Sequence, residues 1–373
     1  MAKILSVVWY QILPARFGGQ KGIAEFNEHL STFHKVYCLC SRNNDPSKAT
    51  YPVMPELPVS RRQVGNPVYW NRIFQKIRTL GTTHLILEHC YYGLAGMMAK
   101  RMLGVKMIVH AHNIEATRFR EMGKWWWSLL WILEKWTFRK ADLILFKTQE
   151  DLDYARNRFG VKDEQCLVVP FGLNRDKIPP AAEKLQAAQV IRKKYDIAPD
   201  EKILLFSGTL DYAPNANALA LIVDTLIPLL SSMTERPFRV IACGRILDPS
   251  YHGLLELNHD HYTYAGLVDD LHPYLLAADV FLNPVSEGGG IKVKTMEALS
   301  YNLPVVSTSH SARGINTAHT GTRLRVAPDE NWDAFCHLIL DAWDDSSSTP
   351  EAFFREYYWP SVIRPLAEKI ETL

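Results

Sequence analysis

The 373-residue chain lacks the features that mark several common classes of protein. No apolar run reaches the roughly 18 uncharged residues of a membrane-spanning helix. The apolar start of the chain, Met1 to Trp9, is too short and too soon followed by polar residues for a signal peptide. The six cysteines have no metal-binding spacing, since Cys38 and Cys40 alternate along one strand. We therefore expect a cytoplasmic protein with reduced, buried thiols.

The chain also lacks the G-x-G-x-x-G spacing of dinucleotide-binding enzymes, which argues against a dehydrogenase. Its net charge of +2 hides an asymmetry: residues 1–175 carry 25 Lys and Arg against 14 Asp and Glu, whereas the remainder carries 17 against 26. A basic first half favours an anionic partner, such as a lipid-linked phosphate or an acidic membrane surface. Surface lysines without a specific partner are the alternative. Nucleic acid is disfavoured because no nucleic-acid motif accompanies the charge.

What the chain does have is an alternation of short apolar strands with helical segments. This alternation predicts parallel sheets, with ligands at the carboxyl ends of their strands. The length predicts two domains, and we place the boundary near residue 175, before a proline-containing hinge at 178–182. The polar stretch 41–67, which contains Arg61 and Arg62, is expected to be a long loop. The predicted strands are 4–9, 36–40, 85–87, 107–110, 143–146, 167–169, 203–206, 239–243, 280–282, 305–306 and 324–327.

The stretch 281–308 carries the clearest functional signal. A short apolar strand precedes three consecutive glycines, and a helix with Lys292, Lys294 and Glu297 follows. Glycines let backbone N–H groups approach a ligand closely, while the helix N-terminus and two lysines supply positive charge opposite a diphosphate. Glu297, about one turn inside the helix, is suited to accept hydrogen bonds from vicinal hydroxyls such as those of a ribose.

This stretch resembles the donor-binding segment of glycosyltransferase family 4, in which a glycine loop and a helix with a glutamate hold a nucleotide sugar. The family usually has two glutamates eight positions apart. Glu297 matches the second, and Gly289 stands at the position of the first. Some members carry a Gly-Gly-Ile-Lys-x-Lys form, which implies that Gly289, Gly290, Ile291 and Lys294 contact the donor, with Lys292 and Glu297 as catalytic residues.

Three further segments resemble donor-contacting parts of the same family. The segment 203–218 is similar to the start of the donor domain, which implies that Gly208 and Thr209 approach the diphosphate. Thr209 and Tyr212 stand where many members have an arginine and a lysine, which gives Lys292 and Lys294 more weight. The family's Gly-x-Val-x-Asp segment, whose backbone contacts the base, corresponds to Gly266 and Val268. In the first loop, Gly18 and Gly19 match the family's Gly-Gly pair near the donor phosphates, and a simple tight turn is the alternative.

His110 ends an apolar strand and His112 follows it, at a strand end where side chains reach towards a ligand. In family 4 a similar segment contains a histidine that contacts the transferred sugar or its acceptor, and His112 matches it. A hydrogen-bonded structural histidine is the alternative. A metal site is disfavoured because a His-x-His pair needs further ligands that the sequence does not put nearby. In the same way, Asp151 and Asp153 imitate a metal-binding DxD motif, but a helix N-terminus explains them.

A tryptophan-rich segment, 123–136, is flanked by basic residues. On a helix its apolar groups cover more than one face, so that two interpretations stand. Tryptophans beside cations favour a membrane interface. A helix packed in the core is the other interpretation, and we prefer it for most of these residues.

The resemblance covers nearly the whole chain and implies the GT-B architecture: two Rossmann-like, doubly wound α/β domains that face each other across a cleft. Residues 1–175 would bind the acceptor, residues 176–350 the nucleotide sugar, and a C-terminal helix in 351–373 would return to the first domain. The implied activity is a retaining, metal-independent transfer of sugar from a UDP-, GDP- or dTDP-sugar to a glycan or lipid-linked acceptor, in cell-surface polysaccharide synthesis, without a cofactor. The enzyme would be cytoplasmic, at the inner face of the cell membrane. A nucleotide-sugar epimerase and a non-catalytic nucleotide-sugar-binding subunit are the alternatives.

Overall fold

The computed structural model describes residues 1–15, 18–245, 253, 261–288 and 290–373. The chain divides into two compact units. Unit 1 comprises residues 1–172 together with 357–373, and unit 2 comprises residues 173–356. Unit 1 is therefore built from both ends of the chain. The predicted roles of the two domains, acceptor binding and donor binding, stay predictions.

Unit 1 contains a seven-stranded parallel sheet with the order β3-β2-β1-β4-β5-β6-β7. The strands His84–Glu88 and Leu143–Phe146 are buried along their whole length and have apolar interiors, as expected for a parallel sheet covered by helices on both faces. The strands are β1 Lys3–Val7, β2 Lys35–Ser41, β3 Val53–Leu57, β4 His84–Glu88, β5 Lys106–Ala111, β6 Leu143–Phe146 and β7 Cys166–Val168.

Helices connect these strands, and a last helix follows unit 2 in sequence. They are α1 Gly18–Ser31, α2 Pro67–Leu80, α3 Gly93–Leu103, α4 Glu115–Glu121, α5 Trp127–Lys140, α6 Gln149–Tyr154 with a π-helical turn at Ala155–Phe159, and, after the helices of unit 2, α14 Trp359–Glu371. Short 3₁₀ turns lie at Pro46–Lys48, Arg61–Gln63 and Asp163–Gln165.

The helix α14 completes the core of unit 1. Trp359, Ile363 and Leu366 are fully buried in a cluster with Ile4 and Phe26. The Trp359 indole N–H donates to Oε2 of Glu25 on α1 (2.9 Å). Without α14 this face of the sheet would be exposed to water.

Unit 2 contains a six-stranded parallel sheet with the order β10-β9-β8-β11-β12-β13. The strands are β8 Lys202–Ser207, β9 Phe238–Cys243, β10 Tyr262–Gly266, β11 Val280–Asn283, β12 Val305–Thr308 and β13 Leu324–Ala327. The helices are α7 Ala181–Tyr195, α8 Ala213–Leu221, α9 Ile227–Met233, α10 His272–Ala277, α11 Val293–Ser300, α12 Trp332–Trp343 and α13 Glu351–Tyr357, with 3₁₀ turns at Thr317–His319 and Gly321–Arg323.

A π-helical turn, Ile222–Leu226, joins α8 and α9 into one stretch, Ala213–Met233. By length and composition alone this stretch could cross a membrane, although Asp224 interrupts its apolar run. Leu219 and Leu226 on it are buried in the unit 2 core beside the sheet. We therefore interpret it as a core helix.

The two parallel α/β sheets confirm the predicted fold class, and three local predictions are wrong. The stretch 41–67 is not a single loop, because Val53–Leu57 pairs with β2 as the edge strand, a place that tolerates Pro55. The helix α1 begins at Gly18 rather than near residue 23. The helix predicted in 351–373 is two helices, which meet near Tyr358.

Candidate functional site

The starts of two helices meet at the carboxyl edge of the unit 2 sheet. Lys294, in the first turn of α11, donates from Nζ to the carbonyl oxygen of Ser207 at the end of β8 (3.2 Å). It also donates to Oδ1 of Asn215 in the first turn of α8 (3.0 Å). Gly208 and Thr209, which follow Ser207, are thereby brought beside the lysines of α11.

Three glycines at the ends of β8, β9 and β10 allow the backbones to approach each other. The Gly244 N–H donates to the carbonyl oxygen of Gly266 (2.8 Å). A Cβ on Gly244 would collide with the carbonyl oxygen of Gly208, and one on Gly208 would lie 2.9 Å from the Asn215 side chain. Val268, two residues after Gly266, is half-buried. Backbone groups thus form most of this edge, as expected where a ligand approaches the main chain.

The glycine loop before α11 turns back onto Lys292, the N-cap residue of that helix. The Lys292 Nζ donates to the carbonyl oxygens of Gly288 (2.6 Å) and Glu287 (3.4 Å). The Nε2 of His310 lies 2.8 Å from the same Gly288 carbonyl oxygen. Gly288 and Gly290 have φ values of 83° and 76°, which favour glycine. The predicted contact Gly289 lies outside the described residues.

The hydroxyl of Tyr212 closes the other side of this loop, since a Cβ on Gly288 would collide with it. The segments 207–212 and 287–294 therefore line one surface. Ile291 and Glu297, on either side of the two lysines, are half-buried there. The structure brings together the predicted residues Gly208, Thr209, Lys292 and Lys294.

The charge state of Lys294 depends on its surroundings. Burial and, after it, the charge of Lys292 lower the pKa of Lys294 to about 7. The two oxygens that accept its hydrogen bonds favour the ammonium form and oppose part of this effect. No carboxylate lies within ion-pair distance of Lys294 among the described residues. A diphosphate would supply the negative charge that favours a protonated Lys294.

In unit 1, His112 is joined to a carboxylate that sequence reasoning missed. Its Nε2 lies 2.8 Å from Oε2 of Glu88, the last residue of β4, and Nδ1 of His110 on β5 lies 2.9 Å from the same oxygen. Ser6 on β1 donates from Oγ to Oε1 of Glu88 (3.1 Å). Adjacent parallel strands explain the cluster, since β4 pairs with both β1 and β5.

The protonation states in this cluster follow from burial. Burial acts to raise the pKa of Glu88, but the contacts with His110 and His112 outweigh it and hold the pKa well below its usual range. Burial and the charge of Lys147 lower the pKa of His110 to about 4. Burial and His110 lower the pKa of His112 well below its ordinary value. A neutral His112 that donates from Nε2 to Glu88 presents Nδ1 as a hydrogen-bond acceptor.

A second carboxylate, Glu115, lies at the start of α4 and carries its own partners. Tyr91 donates to Oε2 of Glu115 (2.6 Å), Arg118 lies 3.1 Å from the same oxygen, and Nδ1 of His89 lies 3.3 Å from Oε1. Burial acts to raise the pKa of Glu115, but His89 and Arg118 lower it to about 2. The ring of His89 is 4.6 Å from that of His112, so the two carboxylate networks adjoin.

Lys147, the residue after β6, is buried near these networks, with 6% of its surface exposed. Its Nζ has no hydrogen-bond partner among the described residues and lies 5.7 Å from the centre of the Phe26 ring. Burial lowers the pKa of Lys147 to about 7, and the charge of Glu88 opposes this. Lys147 thus contributes to the low pKa of His110.

Glu88, His110 and His112 offer three donor atoms within 4.8 Å of one another, a set that could hold a metal ion. The expectation that a third ligand is not near the histidines is therefore wrong, because β4 brings Glu88 to them. Both histidines lie against one oxygen of Glu88. Of the two, His112 makes a hydrogen bond to that oxygen, whereas neither ring nitrogen of His110 has a hydrogen-bond partner among the described residues.

The predicted glycines Gly18 and Gly19 are the first two residues of α1 rather than a loop. A Cβ on Gly19 would meet nothing within 4 Å, so packing does not require glycine there. The Gln20 side chain donates back to the carbonyl oxygen of Gln11 (2.9 Å), which ties the helix start to the preceding segment. The first N–H groups of α1 have no acceptor within the helix, and such groups bind anions.

A cavity of about 490 Å³ lies beside the glycine loop of unit 2. It is lined by the α8 residues Pro214, Asn217, Ala218 and Leu221 together with Pro284, Ser286, Glu287, Glu330 and Trp332. None of the predicted site residues lines it.

Two family models match the chain, one in each unit. The model "Glycosyltransferase Family 4" matches residues 18–177, and "Glycosyl transferases group 1" matches residues 201–345. The chain belongs to glycosyltransferase family 4, also described as glycosyl transferases group 1. It is thus a glycosyltransferase that takes its sugar from a nucleotide sugar.

Solved structures show the same fold over the whole chain. A sucrose-phosphate synthase from Thermosynechococcus elongatus has 16% identity and a TM-score of 0.74, with 99% of this chain and 98% of that chain covered. HepE from Anabaena, in complex with UDP and glucose, has 14% identity and a TM-score of 0.73, with both chains covered completely. WaaG, a glycosyltransferase involved in lipopolysaccharide biosynthesis, has 15% identity and a TM-score of 0.64, with 99% and 98% covered. No curated protein matches the sequence.

Proposed function

We propose that the protein is a retaining, metal-independent glycosyltransferase that moves a sugar from a nucleotide-diphosphate sugar to a glycan or lipid-linked acceptor in cell-surface polysaccharide synthesis. The observation that carries the proposal is the meeting of Lys292, Lys294 and the Ser207–Gly208 backbone at one edge of unit 2. Two ammonium groups beside close-approaching glycines suit a diphosphate. UDP is the first donor to test, because the HepE structures contain UDP or UDP-glucose.

In this proposal the lysines act on the leaving group. Charge develops on the diphosphate as the bond to the sugar breaks, and Lys292 and Lys294 stabilise that charge, the largest effect such a site supplies. The backbone at Gly290 and Ile291 accommodates the phosphates, and Glu297 accepts hydrogen bonds from the ribose. Gly266 and Val268 contact the base through their backbone, while Gly18 and Gly19 contribute helix N–H groups from unit 1.

His112 is proposed to position the transferred sugar. Its Nδ1, left as an acceptor by the contact of Nε2 with Glu88, is suited to a sugar hydroxyl. The carboxylate of Glu88 fixes the ring, so that the acceptor atom stays in one orientation. The enzyme is proposed to work in the cytoplasm, at the inner face of the membrane where lipid-linked acceptors are elongated.

The first experiment is a thermal-shift screen against UDP, GDP, dTDP and their sugars, followed by assay of nucleotide release. We expect one nucleotide series to raise Tm in the wild type and to raise it less in Lys292→Ala, because a specific ligand stabilises by mass action. Transfer should persist in EDTA, and NMR of the first product should show the donor's anomeric configuration. Loss of transfer in EDTA or an inverted product would contradict the corresponding part of the proposal.

Two other functions give distinct results in the same assay. An epimerase would release an altered sugar without any acceptor. A non-catalytic subunit, which Thr209 at a usually charged family position would suit, would bind a nucleoside diphosphate and turn over no sugar. Acceptor-dependent release of the diphosphate separates a transferase from both.

A further inference from the structure

The tryptophan-rich segment of unit 1 exposes a row of large apolar side chains. Trp125, in the turn before α5, has 82% of its surface exposed, and Leu129 and Trp136 on α5 have 63% and 61% exposed. Ile132 between them is also exposed. The spacing 129, 132 and 136 puts three of these side chains on one side of the helix.

The opposite side of α5 is the side that packs in the core. Leu130, Glu134, Thr137 and Phe138 are buried, and Glu134 accepts hydrogen bonds from the N–H groups that begin α4. Trp126, Trp131 and Leu133 pack against the core beside the buried Leu130, in line with the preferred interpretation, whereas Trp125, Leu129, Ile132 and Trp136 are exposed. The segment 123–136 has more apolar residues than the buried side of α5 can accommodate.

The neighbouring helix α3 extends the exposed row. Leu94, Met98 and Met102 recur every four residues along α3, and all three are exposed. The two helices touch closely, since a Cβ on Gly93 of α3 would collide with the Thr137 side chain of α5. We call the seven exposed residues, Leu94, Met98, Met102, Trp125, Leu129, Ile132 and Trp136, the aromatic face.

Cations outnumber acids in the two segments that carry the aromatic face, although Glu121 just before the second segment is exposed and Lys100 pairs with Asp142 (2.9 Å). The segments 93–103 and 122–140 contain six Lys and Arg residues and one acid, Glu134, which is buried. Arg101, Lys124, Arg139 and Lys140 are exposed. The cations are Lys100, Arg101, Lys124, Lys135, Arg139 and Lys140.

We propose that the aromatic face docks on an anionic lipid bilayer, with its apolar side chains at the boundary between headgroups and acyl chains. Tryptophan favours this boundary, where its ring is apolar and its N–H remains hydrated. Lysine and arginine side chains extend to lipid phosphates while their stems lie along apolar surface. Helices that lie in the membrane plane combine these two features.

Charge decides between a bilayer and a second copy of this chain as the occupant. In a symmetric dimer the same patch lies on both subunits, so the cations beside it would face cations. Lysine is also depleted in protein interfaces. An anionic bilayer supplies negative charge around the whole patch.

The test is flotation of the full chain with vesicles of phosphatidylcholine alone and with 30 mol% phosphatidylglycerol (about a third anionic lipid, a strongly charged surface). We expect the protein to float with the anionic vesicles and to float less in high salt, because salt screens the cations. The double variant Leu129→Glu/Trp136→Glu should lose at least about tenfold in bound fraction. The matched control Leu185→Glu/Val190→Glu changes two exposed apolar residues of α7 in unit 2 and should bind as the wild type does.

A second pair of variants keeps the proposal testable if the apolar substitutions disturb folding. Arg139→Glu/Lys140→Glu should reduce flotation, whereas Lys193→Glu/Lys194→Glu on α7 should not. Wild-type protein that stays unbound with anionic vesicles, or Leu129→Glu/Trp136→Glu protein that floats like the wild type, overturns the proposal. A wild-type dimer in vesicle-free buffer that Leu129→Glu/Trp136→Glu converts to a monomer would also overturn the proposal. Flotation uses neither donor nor acceptor, so its failure is distinct from a failure of glycosyl transfer.

Discussion

The two units contain charged groups at the carboxyl edges of similar sheets, but they satisfy those groups in different ways. In unit 1, the partners of the charged groups are side chains: Glu88 contacts His110 and His112, and Glu115 contacts His89 and Arg118. In unit 2, most partners are backbone groups: Lys292 donates to carbonyl oxygens of the glycine loop, and Lys294 donates to the carbonyl oxygen of Ser207 and to the side chain of Asn215. The first arrangement supplies each carboxylate with side-chain partners and fixes a neutral histidine. The second retains cationic groups beside main-chain groups, which suits an anionic ligand.

The largest expected effect tests the charge of the unit 2 site. Lys292→Ala should lower kcat by roughly a hundredfold to a thousandfold, because it removes a cation from the leaving diphosphate. Lys193→Ala, which removes an exposed lysine of α7 in the same unit, should leave turnover unchanged. Steady-state kinetics with the nucleotide sugar found by thermal shift measure both. Wild-type turnover in Lys292→Ala would remove the central claim about this site.

The next prediction tests whether the unit 2 site is made of backbone. Gly244→Ala puts a methyl group against the carbonyl oxygen of Gly208 and should displace the loop after β8. A displacement of about 1 Å costs on the order of a hundredfold, so we expect kcat/KM to fall by about that factor. Gly65→Ala is the control, because a Cβ on Gly65 meets nothing within 4 Å. Equal kinetics in the two variants would show that the approach of the glycine backbones is irrelevant to the donor.

A substitution in unit 1 should have a smaller effect of another kind. Glu88→Gln keeps the shape but removes the charge that orients His112, so we expect kcat to fall about tenfold, a loss of about 1.4 kcal/mol, with the donor KM unchanged. Because Glu88 raises the pKa of His112, its loss should also move any acid limb of the rate profile to lower pH. A raised donor KM at constant kcat would instead assign Glu88 to donor binding.

The smallest predicted effect is a dependence of donor affinity on pH. The pKa of Lys294 is lowered to about 7, and a diphosphate favours the protonated form, so affinity should rise as pH falls from 8 to 6. UDP-glucose is the proper probe, since its diphosphate is fully ionised across this range. The increase should stay within about tenfold per pH unit, the limit for one proton.

Lys294→Arg is the matched variant for this effect, because a guanidinium stays protonated throughout. The Kd of this variant for UDP-glucose, measured by isothermal titration calorimetry, should not change between pH 6 and 8. If the affinity of Lys294→Arg still rose as pH fell, the proton that binds with the donor would belong to another group.

Most of the fold could be predicted from the sequence, because the buried strands are short apolar runs between polar helical segments. The strand Val53–Leu57 was missed since Pro55 and Glu56 break its apolar pattern, and only pairing with β2 defines it. The start of α1 was missed because glycines normally indicate a loop.

The candidate site could be predicted where its residues are neighbours in sequence, as in Gly290 to Lys294. Contacts between distant segments could not be. Glu88, Gly244 and His310 each lie at or after the carboxyl end of a strand, and that location is the signal that could have drawn attention to them. The contact of Lys294 with Ser207 depends on which strands neighbour each other, which no local pattern records.

The division of unit 1 between the two ends of the chain has a consequence for biosynthesis. Unit 2 is contiguous, so all of its residues are translated before α14. Until then the sheet of unit 1 has a face with Ile4 and Phe26 uncovered, because Trp359, Ile363 and Leu366 are still missing. The nascent chain therefore carries an apolar surface throughout the synthesis of unit 2, and a chaperone that recognises such surfaces has that interval in which to bind it.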